Sequence, residues 1–81
     1  MYKFFWEYTG ADHELVDNAA EDVASQLPVN DLCISSDGTA SGRRKWQVSF
    51  VTDDDDAMPE FQNSMTSRGY SGFRNGFKAI N

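Results

Sequence analysis

The sequence predicts an α+β fold, a four-stranded antiparallel sheet with two helices on one face. Three observations carry that prediction. Residues 2–8 and 45–52 each alternate apolar and polar side chains, the period of a strand with one buried face. Residues 12–27 repeat their apolar side chains at helical spacing. Turn signals between these stretches leave room for one more short strand, a second helix and a closing strand.

In the first strand Tyr2, Phe4, Trp6 and Tyr8 fall at every second position, and aromatic rings are the largest apolar groups a small domain can bury. Thr9-Gly10 reads as a turn, with Thr9 or Asp12 placed to cap a helix over 12–27. Its stripe is Leu15, Val16, Ala19, Ala20, Val23, Ala24 and Leu27, and the alanines would let it lie close to the sheet. The opposite side carries Glu14, Asp17, Asn18, Glu21, Asp22 and Ser25. Unpaired like charges at that spacing cost a few tenths of a kcal/mol per pair, while Asp12 and Glu14 near the helix start suit its dipole.

Pro28 ends the helix. Leu32 and Ile34 alternate with Cys33 and Ser35 in a short second strand. Residues 35–43 are turn-rich, and Asp37-Gly38 is a hairpin signal. In the third strand, 45–52, Trp46, Val48 and Phe50 point one way and Lys45, Gln47 and Ser49 the other. After Asp53 to Asp56, a second helix begins with Asp56 or Met58 as its cap and Pro59 in its first turn, where no N–H is required. Met58, Phe61 and Met65 form its stripe and Gly69 its stop. The fourth strand falls near 74–80, made irregular by Gly72 and Gly76. The order β-α-β-β-α-β is the ferredoxin-like, split β-α-β arrangement, whose first and third strands are central. These are the two strands with the heaviest apolar content here, and a single domain spans 1–81.

The 81 residues carry a net charge of −6, distributed unevenly. Residues 1–37 hold eight acids against Lys3 alone, whereas 38–81 hold five acids and six bases. An acidic balance disfavours bulk nucleic acid and anionic membrane, because both repel it at long range. The lone Cys33 permits no internal disulfide and suits a reducing compartment. With no signal-peptide layout and no apolar run long enough for a membrane, a cytoplasmic protein is expected.

No motif assembles chemistry. Calcium loops alternate their acids and need a glycine and a distal glutamate, a pattern that Asp53 to Asp56 lack. Arg43-Arg44-Lys45 follows a Gly-Ser-Thr loop, but no Gly-Lys-Ser/Thr occurs and a strand follows, so it is not a phosphate loop of the Walker type. These bases are expected to neutralise the protein's own acids, Asp37 or the tetra-aspartate. His13, the only histidine, sits at a helix start far in sequence from Cys33, so no nucleophile–base pair forms. Neither a cofactor nor a metal is expected, and the protein reads as non-enzymatic.

The expected function is therefore binding. Glu14, Asp17, Glu21 and Asp22 on the first helix, with Asp53, Asp54, Asp55 and Asp56, form an acidic surface for a larger protein with a basic patch. A sharper version is a nucleic-acid mimic or inhibitor, with carboxylates standing in for phosphates; small phage inhibitors of bacterial defence systems work in this style, an analogy of size and charge. The alternative is RNA or single-stranded DNA binding through Phe5, Arg43, Arg44, Lys45, Arg74 and Lys78. Residues 44–50 bear a partial resemblance to the basic-aromatic motif of RNA-recognition modules, without its glycine and with aromatics on the core parity. Tyr70, Phe73 and Phe77 are expected to fill the core while the bases between them stay wet. Self-association through an edge strand or the open sheet face is a further possibility.

Overall fold

The computed structural model describes residues 1–38, 41–72 and 74–80. The expectations for Thr39, Ala40 and Phe73 lie outside the described residues. Six elements follow one another: β1 (Tyr2–Ala11), α1 (Val16–Ser25), β2 (Asn30–Gly38), β3 (Arg43–Thr52), α2 (Ala57–Ser67) and β4 (Arg74–Ala79). The strands form one antiparallel sheet in the order β2-β3-β1-β4. This is the ferredoxin-like arrangement, with the two aromatic-rich strands at its centre.

The pairing register fixes which side chains share a face. Phe4 stands opposite Phe50, Trp6 opposite Val48 and Tyr8 opposite Trp46. All of these except Tyr8 are fully buried, and both tryptophans lie in the layer beneath the helices, 1% and 2% exposed. Phe61 of α2 is the hub of that layer. Its ring centroid lies 5.8 Å from Phe4, 5.7 Å from Trp6 and 5.5 Å from Phe50, each edge-on. Edge-to-face contacts of this kind suit the ring quadrupoles and add about 0.5–1.5 kcal/mol to simple burial. From α1, Val16, Ala19, Ala20, Val23 and Ala24 complete the core.

β1 runs on through Thr9 and Gly10, which the sequence marks as a turn. Thr9, Gly10 and Ala11 pair with Lys45, Arg44 and Arg43, so the ladder satisfies their backbone groups. The turn comes later, where the Asp12 amide donates to the Gly42 carbonyl at 3.0 Å and the Glu14 amide to the Ala11 carbonyl at 3.1 Å. Consequently α1 is shorter than the predicted 12–27. Leu15, expected on the buried stripe, occupies the N-cap with no side-chain cap bond and is 63% exposed. Asp12 is diverted from capping by an ion pair with Arg44. At the other end Ser25 Oγ and Gln26 Nε2 both donate to the Asp22 carbonyl, closing the last turn.

β2 is longer than predicted and nearly all exposed, with an irregularity between Asn30 and Cys33 where Asp31 takes a φ of 54°. Thr52, fully buried, ties this end together: its hydroxyl donates to the Pro28 carbonyl at 2.8 Å and accepts the Asp54 amide at 3.0 Å. α2 ends as predicted. Gly69 has a φ of 95°, its amide reaches the Thr66 carbonyl at 3.0 Å, and the Tyr70 amide reaches Met65 at 2.9 Å. That pair of bonds is the Schellman closure, which requires the left-handed residue that glycine supplies without strain.

β4 is left mostly exposed on both faces. Phe77 stands opposite Phe4, on the core side by register, yet is 61% exposed, its ring meeting that of Tyr2 edge-on at 5.9 Å. The expectation that Phe77 fills the core is corrected: no helix covers this edge of the sheet. Tyr70 does pack inward, 5.5 Å from Tyr8.

Candidate functional site

Two surfaces carry the residues singled out in the sequence, and the sheet separates them. The first is the outer side of the helix layer. Asp17, Glu21 and Asp22 are exposed on α1, and Asp53 to Asp56 are exposed on the loop from β3 into α2. The fold brings this loop beside the C-terminal end of α1: Asp53, Asp54 and Asp55 line a depression of about 550 Å³ with Pro28, Val29 and Asn30. The acidic surface is thus one band, running along α1 and round its end.

The members of that band differ in what holds them. Glu14 precedes the helix and is half-buried, accepting the Tyr8 hydroxyl at 3.1 Å. Burial, followed by the Glu14 bond and charge, pushes the Tyr8 phenol above its ordinary value. Asp22 pairs with Arg68 of α2 across the helix–helix groove. Asp53 faces the amino terminus at 3.5 Å, and Asp54 accepts the Asp56 amide at 3.0 Å, which shapes the entry to α2. Asp56 is the N-cap by position but makes no side-chain cap bond. Among the described residues Asp17, Glu21, Asp55 and Asp56 enter no ion pair.

The second surface is the open face of the sheet. By register it holds Lys3, Phe5, Glu7 and Thr9 of β1; Arg43, Lys45, Gln47, Ser49 and the buried Val51 of β3; Asn30, Cys33, Ser35 and Asp37 of β2; and Arg74, Gly76 and Lys78 of β4. Arg44 is not among them. It lies opposite Gly10 on the helix side, where its guanidinium meets Asp12 at 3.1 Å and donates to Ser36 Oγ at 3.0 Å. The run Arg43-Arg44-Lys45 does neutralise the protein's own acids, but they are Asp12 and Glu7, not the tetra-aspartate. Asp37 is the cross-strand neighbour of Lys45.

Glu7 anchors a small polar network that the sequence reading did not assemble. Gln47 Nε2 donates to Glu7 Oε1 at 2.9 Å, and Lys45 Nζ stands 3.6 Å from Oε2. The Gln47 bond, with the cations Lys45 and Arg74 nearby, holds the Glu7 carboxyl below its ordinary value against the opposing effect of burial. The signal was available: Glu7, Lys45 and Gln47 share one parity, and pairing the central strands makes them neighbours.

His13 and Cys33 are both exposed, the first in the turn before α1 and the second on β2. Among the described residues no group of three or more His, Cys, Asp or Glu side chains converges as a metal-binding set. No helix among them is long and apolar enough to cross a membrane.

No protein-family model and no curated protein matches this chain. Among solved structures it is similar to the de novo designed protein Ferredog-Diesel, with a TM-score of 0.55 and 8% identity over 96% of this chain and 83% of that one. At that identity the likeness speaks to the ferredoxin-like fold alone.

Proposed function

We propose that this protein is a small, acidic, non-enzymatic binding module that covers a basic surface on a larger protein. The single observation behind this reading is the segregation of charge. Ten of the thirteen acids lie off the open sheet face, with Asp31 in the irregular stretch of β2; only Arg44 and Arg68 accompany those ten, and each is held by an internal carboxylate. Asp17 and Glu21, with Asp55 and Asp56 at the far end of the band, are left facing water. A clustered set of carboxylates gives long-range steering toward cations and discrimination against acidic partners. The partner class that fits is a nucleic-acid-handling protein, whose phosphate-binding groove would accept the carboxylates as stand-ins.

The test is capture from a lysate of the source cell, followed by competition with DNA. The control is Asp17→Lys/Glu21→Lys, chosen because neither residue has an internal partner, whereas Glu14 and Asp22 do. The wild-type protein should retain a basic protein that salt and DNA release, and the reversed variant should lose it. Equal retention by both would remove the proposal.

A further inference from the structure

The open face has the opposite electrostatic character. Five of the seven bases lie on it by register (Lys3, Arg43, Lys45, Arg74 and Lys78) against the carboxylates of Glu7 and Asp37, with Asp31 in the irregular stretch at the β2 edge. Glu7 is already engaged by Gln47 and Lys45. Lys3 and Lys78 stand directly opposite each other on β1 and β4, a placement of like charges that destabilises a sheet in the absence of an anion. Between the basic rows sits Phe5, 45% exposed, flanked by Ser49 and Gly76. A Cβ at Gly76 would fall 2.9 Å from the Phe5 ring, so the ring leans onto bare β4 backbone.

We propose that this face binds single-stranded nucleic acid, with phosphates on the flanking cations and one base stacked on Phe5. Same-face residues along a strand are roughly 7 Å apart. Lys3 and Lys78 therefore lie one row to one side of Phe5 and Arg74 one row to the other, a spacing that an extended nucleotide can bridge. An aromatic in the middle of a flat face reaches the plane of a base only when that base is unstacked, which selects a single strand over a duplex. A second copy of the face would bring its five bases toward the five of the first. The net acidity of the protein does not forbid the contact. The Debye length is about 8 Å at physiological salt, and the acids of α1 lie on the far side of the sheet and its core layer. This site uses the opposite side of the molecule from the acidic band and stands independently of it.

The test is fluorescence anisotropy of the full chain with short labelled oligothymidylate, oligouridylate and a duplex, across a salt series, with polyglutamate as an unlabelled competitor. Three or four phosphate contacts predict single-strand binding whose log–log salt slope is about −2 to −3. Lys3→Glu with Lys78→Glu, both exposed, should weaken binding by about tenfold or more and make the slope shallower by about 1.4. Phe5→Leu keeps an apolar cover over Gly76 but removes the stacking plane, and should weaken binding by about fivefold or more. Asp17→Lys/Glu21→Lys should bind as well or better. The assignment is overturned by no oligonucleotide binding at about 50 mM salt, by a preference for duplex, or by polyglutamate competing as well as the unlabelled single strand. Binding indifferent to both the lysine reversal and Phe5→Leu would equally overturn it.

Discussion

Glu7 shows how a single carboxylate ties the open face to pH. Its folded pKa is depressed, first by the Gln47 hydrogen bond and then by Lys45 and Arg74. The unfolded chain therefore takes up the proton at a higher pH than the folded one. The stabilisation from Glu7 is present above the unfolded value of 4.5 and is lost as pH falls through the lower folded value. Denaturant unfolding between about pH 6 and about pH 3 should show stability falling with acid, and Glu7→Gln should flatten that fall. An unchanged acid limb in Glu7→Gln would mean the network does not stabilise the fold. Tyr8 gives the opposite limb: its raised pKa contributes stability below pH 10 that disappears in stronger base. Neither effect was legible from composition, because each depends on a cross-strand or turn neighbour distant in sequence. The parity of Glu7, Gln47 and Lys45 was legible, and only the register was missing.

At the scale of elements, apolar period was the reliable guide and polar punctuation the unreliable one. β1, β3 and α2 were readable because Trp6, Trp46, Val48, Phe50, Phe61 and Met65 recur at the period of their element and are all buried. The entry to α1 was misread because Thr9-Gly10 and Asp12 have turn and cap chemistry, while the partner strand extends far enough to hold Thr9 to Ala11 in the ladder. Phe77 was misread for a related reason. Its parity is correct, but parity says nothing about whether a helix lies overhead. Two substitutions separate these cases. Phe61→Ala removes the ring that Phe4, Trp6 and Phe50 pack on and should cost about 3–5 kcal/mol, enough to unfold a domain this small. Phe77→Ala removes a ring that is 61% exposed and should cost less than about 1 kcal/mol. Chemical denaturation of both variants checks the pair, and similar losses would mean the β4 edge is covered. Gly69→Ala, at a φ of 95°, should cost about 1–2 kcal/mol by forcing a Cβ into the left-handed region. A neutral result in the same assay would place the end of α2 elsewhere.

Over the whole molecule, a net charge of −6 conceals two unlike surfaces. The acidic half of that division was visible in the sequence, since eight acids precede residue 38. The basic half was visible in part: Phe5, Arg43, Lys45, Arg74 and Lys78 were grouped from the sequence, but Lys3 joins them only when β4 pairs with β1, and Arg44, grouped with them, lies on the other side of the sheet. Both surfaces depend on the same inside–outside assignment, in which the indoles of Trp6 and Trp46 lie beneath the helices and the alternate residues of those strands face solvent. Quenching of tryptophan fluorescence by acrylamide and iodide reads this directly. A blue-shifted emission with both indoles poorly reached by either quencher is the expected result. One indole quenched as readily as free tryptophan would place it on the bare side of the sheet, and neither the acidic band nor the basic face would stand where they are drawn.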